Sequence, residues 1–317
     1  MNILPTAIPE LVEQLLAGNR VALARIISKI EQRNQDTRAI VEQLYSQTGT
    51  AQIWGVTGPP GAGKSTIVDR IIFHLRAKGK KVAVVAIDPS SPFSGGAILG
   101  DRIRMQQHAT DHGVYIRSLG TRGRHGGLSH STKEVVFALD AAKFDVVLVE
   151  TAGVGQTELD ILKLAHSVIV ALVPESGDSI QVMKAGLMEI ADVFVVNKSD
   201  RPEADKLVRE LTQMIGLGAH DEHSWMIPVC KTEAVRDGGI SELVENIEKH
   251  QAYLLNSGKR IEKEKLFLKE ELIDILTEEL NRNLEFIFNS SSGLDLLGQL
   301  QSKLLSPYEA AKLLSGK

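Results

Sequence analysis

Residues 53–66 read IWGVTGPPGAGKST, and this stretch decides the fold. Ile53–Thr57 is an apolar run of strand length, and the segment at 64–78 has helical periodicity. Between them, GPPGAGKS at 58–65 fits the pattern G-x-x-x-x-G-K-[ST] in the strand–loop–helix context that gives the pattern its meaning. Glycines 58, 61 and 63 allow the backbone to turn its N–H groups onto phosphate oxygens. The N-terminus of the following helix adds a favourable dipole. Gly58, Pro59, Pro60, Gly61, Ala62, Gly63, Lys64, Ser65 and Thr66 are therefore the candidate phosphate-binding residues. Lys64 is expected to reach the β- and γ-phosphates of a nucleoside triphosphate, and the Ser65 hydroxyl to bind Mg²⁺.

Outward from this loop, residues 51–250 alternate apolar runs with helical patterns. The further candidate strands are Val82–Ile87, Val114–Arg117, Val146–Glu150, Val168–Val173, Val193–Asn197 and Met226–Cys230. Stretches 131–143, 178–190 and 202–215 between them have helical periodicity. Buried β-branched runs alternating with helices specify a largely parallel sheet covered on both faces, an α/β P-loop NTPase fold. Ligands in such folds lie at the carboxyl ends of the strands. The expected organisation is an N-terminal helical extension at 1–48, a P-loop domain at 49–256 and a helical arm at 257–317. In the first, Leu11, Val12, Leu15 and Leu16 recur at helical spacing, as do Leu23, Ile26, Ile27 and Ile30, with a break at Gly18-Asn19. In the last, a long charged helix carries Leu266, Leu268, Leu272, Ile275, Leu276 and Leu280; SSSG at 290–293 ends it, and Pro307 starts a helix in the tail. Such a stripe must be buried against the domain or against a second chain, and a stripe on an extended arm favours a homodimer.

A second motif identifies the base. NKSD at 197–200 follows the run VFVVN. The Asp200 carboxylate is placed to accept from guanine N1–H and the 2-amino group, where adenine offers no such pair of donors. Asn197 is expected on the base edge and the Lys198 stem on its face. TEAV at 232–235, after the last strand, could contact the guanine oxygen through its backbone, with Glu233, Ala234 and Val235 as the candidates. The substrate is thus expected to be GTP.

Acids at strand ends complete the expected site. Glu150 opens ETAGVGQTE, where a water-mediated Mg²⁺ contact belongs, and Gly153 offers an N–H to the γ-phosphate. Gln156 lies three positions beyond Gly153 and is not expected to position the attacking water. Asp88 and Asp101 are candidate Mg²⁺ or water ligands, since hard oxygens suit this ion, or else helix and turn caps. Asp178 and Lys184 read either as functional or as ordinary helix residues, and Arg122 and Arg124 either approach phosphate or bind nothing. His108, His112, His125 and His130 lack a ligand-like spacing and are expected to be solvated or capping.

Composition excludes other classes. The 317 residues are 43% hydrophobic and 24% charged, with net charge -4, so no basic field points to nucleic acid or an anionic membrane. One cysteine, Cys230, forms no intrachain disulfide, which suits the cytoplasm. The N-terminus lacks a signal-peptide pattern, and no apolar run approaches the roughly 20 residues of a membrane span.

Taken in order, GPPGAGKST, AIDPSSPFSGGAILGDRIRM, RGRHGGLS, ETAGVGQTE, KAGLMEIAD and NKSD resemble the MeaB family, the G-protein chaperones of adenosylcobalamin-dependent acyl-CoA mutases such as methylmalonyl-CoA mutase. The resemblance runs over nearly the whole chain, the SPYEAAKLL tail included. It implies a homodimeric GTPase of the SIMIBI type that gates cofactor loading and protects the mutase from inactivation. It also implies that Lys184 is the lysine of a third switch and that Asp88, Asp101 and Glu150 are the acids of the Mg²⁺ site. The chain departs from the family at PESGDSIQVMK, where Glu175 and Val182-Met183 replace small or polar residues. A nickel-insertion GTPase of the same broad fold would carry clustered Cys and His, and an ATP-dependent kinase is opposed by NKSD.

The base assignment has a direct test. Asp200→Asn is expected to move preference from GTP toward XTP, because an amide donor faces the xanthine carbonyl. A site built on paired hydrogen bonds discriminates by up to about 10⁴-fold. Competition binding with GTP, XTP and ATP reads the outcome, and a wild-type preference for ATP refutes the assignment.

Overall fold

Alternation along the strands sets the layers of the molecule. The computed structural model describes residues 7–33, 36–88, 106–108, 110–120, 130–151, 153, 160–174, 186–218 and 224–315. Seven strands form one sheet: β1 (Gln52–Thr57), β2 (Val82–Asp88), β3 (Val114–Gly120), β4 (Val146–Glu150), β5 (Ser167–Leu172), β6 (Val193–Val196) and β7 (Val229–Lys231). Their order is β3-β2-β4-β1-β5-β6-β7, and every pairing is parallel. Ala83, Val85, Val147 and Val149 enter one buried cluster, and Val82, Val84, Val146 and Leu148 enter the other. Period-two alternation of apolar side chains to both faces is what a sheet covered by helices on both sides requires.

The described helices are α1 (Ile8–Leu16), α2 (Arg20–Gln32), α3 (Asp36–Tyr45), α4 (Lys64–Ala77), α5 (His130–Ala141), α6 (Leu187–Ile190), α7 (Ala204–Gly216), α8 (Ile240–Asn256), α9 (Lys259–Phe288), α10 (Ser291–Gln301) and α11 (Pro307–Ser315). α4 and α8 cover the face that holds Trp54 and Val56. The opposite face receives α5, α7 and the three N-terminal helices. The break between α1 and α2 is a cap: the Asn19 side chain accepts from the N–H groups of Val21 and Ala22. Leu11, Leu15, Ile26, Ile27, Ile30, Ile40 and Leu44 are all buried. Each such side chain contributes roughly 1.5–3 kcal/mol relative to exposure, so the N-terminal helices are part of the core. The chain divides into two compact units, Met1–Glu264 and Lys265–Lys317.

Two of the boundaries that differ from the sequence reading have a physical reason in view. The last strand starts at Val229, not Met226, because Pro228 has no N–H to give the ladder; its carbonyl still accepts from the Phe194 N–H at 2.9 Å. SSSG does more than end α9: Ser290 caps α10, accepting from the Gly293 N–H, and Gly293 lies inside that helix. The stripe on α9 is exposed, with Leu266 at 53%, Leu272 at 57% and Leu280 at 58%. No helix among the described residues is long and apolar enough to cross a membrane.

The amino edge of the sheet buries two imidazoles. His166 Nδ1 accepts from the Ile53 N–H at 3.0 Å, which fixes this nitrogen as unprotonated. Burial first, then the charges of Arg260 and Lys263, push the His166 pKa down to about 3. Burial likewise pushes His250 to about 4, against the pull of Asp192. His250 lies 2.6 Å from Ser167 Oγ through Nδ1 and 3.3 Å from Asp192 Oδ1 through Nε2. Both imidazoles are depressed in the folded state, so the unfolded chain takes up these protons first as pH falls below 6.5. Their stability contribution is intact above that pH and is lost on the way down to about 4 and about 3, by on the order of 1 kcal/mol per pH unit for each group. Urea unfolding between pH 7 and pH 5 should show this fall, and His250→Gln should make it shallower; a variant with the wild-type slope contradicts the assignment.

Candidate nucleotide-binding site

β1 ends at Thr57 and delivers the chain into the glycine-rich loop. Gly63 has φ of 85° and immediately precedes α4; a Cβ on it would lie 2.3 Å from Asn197 Nδ2. Only glycine satisfies both the left-handed backbone and the close approach. Lys64 is buried, and its ammonium donates to Gly58 O at 2.8 Å and Pro59 O at 3.1 Å. The charge is thereby held directly over the loop that its sequence pattern devotes to phosphate. Ser65 Oγ donates to Glu150 Oε1 at 2.6 Å. Glu150 ends β4 and stands in register with Val56 of β1 and Ala86 of β2, so sheet pairing sets the place of the acid, and the loop after β1 brings the Ser65 hydroxyl to it at the head of α4. Gly153 has φ of 78°, and a Cβ there would meet Gly58 O at 2.2 Å and Lys64 Nζ at 2.5 Å. Its backbone therefore lies against the phosphate loop.

The donor set fits a hard divalent cation. A carboxylate and a hydroxyl at the head of α4 are oxygen ligands of the kind Mg²⁺ accepts, usually together with water and substrate phosphate. No group of three or more His, Cys, Asp or Glu side chains among the described residues forms an all-protein metal cage.

On the other side, the Asn197 side chain is buried and joins three segments. Nδ2 donates to Ala62 O at 2.9 Å, while Oδ1 accepts from Thr232 Oγ at 3.1 Å and from the Ala234 N–H at 3.2 Å. Asn197 thus braces the phosphate loop against the loop after β7. The sequence reading takes in Thr232 only through the backbone of TEAV at 232–235, and nothing local points to its hydroxyl. Lys198 adopts φ of 56° and donates from Nζ to Gly61 O at 2.9 Å, laying its stem along the same loop. Asp200 is exposed, and Ser199 N–H donates to Thr232 O at 3.0 Å. Glu233 pairs through its backbone with Gly238 and through its carboxylate with Arg236, at 2.8 Å. Val235 is 80% exposed. Asn197–Asp200 and Thr232–Val235 thus converge at the carboxyl ends of β6 and β7, beside the phosphate loop.

Several of the remaining expected residues fall outside the described residues. Asp88 closes β2 opposite Gly120, but its side chain is outside the described residues, as are Asp101, Arg122, Arg124, His125, Gln156, Asp178 and Lys184. His108 is not solvated: it is buried with Nε2 3.1 Å from Asp69 Oδ1, and the same carboxylate accepts from Gln107 at 2.6 Å. Asp69 lies 39 residues away, so local spacing gave no sign of it.

The fold and the loop define a P-loop nucleotide-binding protein. The family model described as methylmalonyl-CoA mutase-associated GTPase MeaB matches residues 23–286, and the chain belongs to that family, whose members are P-loop GTPases. A protein of Pyrococcus horikoshii that bears a GTPase name is 45% identical over 312 residues, covering 98% of either chain. The mouse mitochondrial methylmalonic aciduria type A homolog is 30% identical over 318 residues, covering 95% of this chain and 77% of its own. Among solved structures, that of an LAO/AO transport system kinase superposes with a TM-score of 0.70 at 24% identity, over 100% of this chain and 99% of the other, a likeness of fold.

The brace is measurable without nucleotide. Asn197→Ala leaves Ala62 O and the Ala234 N–H short of a partner in a buried site, which costs about 2 kcal/mol of unfolding free energy. Urea denaturation of the apoprotein should show this loss, with Asp200→Asn as the unaffected control. Equal stability of the two variants contradicts the bracing role.

Proposed function

We propose that this chain binds GTP with Mg²⁺ between the phosphate loop and the Asn197–Asp200 loop, hydrolyses it, and acts as a nucleotide-dependent chaperone of an adenosylcobalamin-dependent acyl-CoA mutase. The observation that carries the hydrolytic reading is the Ser65–Glu150 contact of 2.6 Å beside the buried Lys64 ammonium. Ser65 and Glu150 would hold Mg²⁺, with Asp88 and Asp101 as the further acids, and a bound ion would supply charge neutralisation at the β- and γ-phosphates. Lys64 exchanges the Gly58 and Pro59 carbonyls for β- and γ-phosphate oxygens. The backbone of residues 58–66 and the Gly153 N–H complete the phosphate cradle. Asp200 reads guanine, Lys198 covers the base, and Glu233–Val235 contact its oxygen. Lys184 is assigned to a switch that responds to the γ-phosphate.

The mutase as partner is supported by the description of the family to which the chain belongs. The homodimer is supported by α9, whose apolar residues stay exposed: Leu266, Leu268, Leu272, Leu276 and Leu280 are each at least 44% accessible. Contiguous apolar surface of this kind marks an association face, and a second copy with twofold symmetry covers it. The cytoplasm is the compartment where a reduced Cys230 and a mutase client meet.

The experiment is GTP turnover by the purified protein, alone and with the mutase of the same organism. Intrinsic turnover is expected to be slow, within about a hundredfold of Ras without its activator, and raised by the mutase. Lys64→Ala should abolish it in either condition, and Lys184→Ala should reduce the stimulated rate more than the intrinsic one. A well-folded mutase that neither binds nor alters turnover leaves the GTPase and removes the chaperone. Light scattering of the same preparation reads the dimer, and a monomer at micromolar concentration removes the role given to α9.

A further inference from the structure

The loop Thr232–Gly238 is held internally by its own hydrogen bonds. The Glu233 N–H donates to Gly238 O at 2.9 Å, the Gly238 N–H returns to Glu233 O at 3.1 Å, and the Arg236 N–H also reaches Glu233 O at 2.9 Å. From the sheet side it is held by Asn197, as described above. A third attachment comes from α4, the helix that begins with Lys64 and Ser65. His74, in the last turn of that helix, places Nε2 3.1 Å from both Asp237 Oδ1 and Asp237 Oδ2. A carboxylate only accepts, so Nε2 carries the proton and donates between the two oxygens.

This pair stands where an internal clamp of the base site has to stand. Asp237 is at φ of 60° and caps the short turn Ala234–Arg236, so its position fixes where that turn ends. The turn starts at Ala234, whose N–H is committed to Asn197 Oδ1; the next backbone donor along it is the Val235 N–H. Asn197 thus holds the start of the turn and His74 holds its end. One attachment leads to the phosphate loop through Ala62, and the other to the helix that grows out of that loop. The neighbouring charges along α4 and the turn are engaged elsewhere: Lys78 with Glu248 at 2.7 Å, and Arg236 with Glu233 at 2.8 Å.

We propose that His74 is a positioning residue for base recognition: through Asp237 it fixes the Ala234–Arg236 turn at the distance from the phosphate loop that a guanine nucleotide spans. The inference rests on the reading of Asn197–Asp200 and Glu233–Val235 as the base site. Its physical content is that contacts to the base demand placement to a fraction of an ångström, and that a turn tethered at one end only explores more positions than one tethered at both. The phosphates are held by residues 58–66, whose own bonds do not pass through His74.

The test separates base from phosphate. GDP, ADP and inorganic tripolyphosphate, each with Mg²⁺, are titrated into wild type, His74→Ala and His74→Gln. Glutamine carries its amide donor at about the reach of imidazole Nε2, while alanine removes the donor and keeps the helix. His74→Ala is expected to weaken GDP about five- to tenfold and to leave tripolyphosphate within about twofold of wild type, and His74→Gln to restore GDP to within about twofold. An unchanged GDP affinity in His74→Ala overturns the proposal, as does an equal loss for GDP and tripolyphosphate, which marks a general loosening of the fold. Wild type binding ADP as well as GDP overturns the base reading, and the clamp with it. Wild type preferring GDP while His74→Ala is unaffected overturns the clamp alone.

Discussion

The buried amide of Asn197 is the point through which the two halves of the site become one body. A primary amide has donors and acceptors on one rigid plane, and in a low-dielectric interior each must be matched. Here the donor side meets the phosphate loop at Ala62, and the acceptor side meets Thr232 and Ala234 beyond β7. The phosphate loop comes from the centre of the sheet and the other from its edge, since β1 and β7 are separated by β5 and β6. Backbone ladders fix strand spacing, but they do not fix loops above the strand ends. One side chain supplies the missing constraint, and a Cβ on Gly63 would collide with it, which shows how closely the loop is drawn in.

The same economy appears at Glu150. Its position at the end of β4 follows from register with β1, so the acid and Ser65 are brought together by elements needed for the core in any case. Lys64 is similarly prepared: its ammonium is already desolvated and aimed across the loop by two carbonyls. A site whose charged groups are preorganised by the fold needs little rearrangement when charge arrives.

Much of this was legible in the sequence because it is written locally. The glycines at 58, 61 and 63, the strand before them and the helix after them all lie within one short stretch, and period-two burial marks the strands residue by residue. What was not legible depends on partners distant along the chain. His108 reads as a surface histidine until Asp69 is seen against it. Asn197 reads as a base contact, and nothing near it in the sequence shows that its buried amide also joins Ala62, Thr232 and Ala234. Thr232 and the His74–Asp237 pair carry no motif at all. Pro228 does not by itself mark the start of β7 at Val229, because a proline is tolerated just before a strand as well as at its first residue.

The strand order bears on how the protein is made. β1 carries the phosphate loop, yet its neighbours are β4 and β5: Gln52 stands beside Val146, and Trp54 beside Ser167. A ribosome releases the N-terminal helices and β1 long before either neighbour exists. During that interval the GPPGAGKS segment has no sheet to emerge from, and Asn197 has not been synthesised. Nucleotide cannot act as a template for the early chain; the site appears only when β4, β5 and β6 have joined β1. Until then Trp54 and Val56 of β1 are covered by α4 alone, the helix that follows the phosphate loop directly, since α8 is made later still.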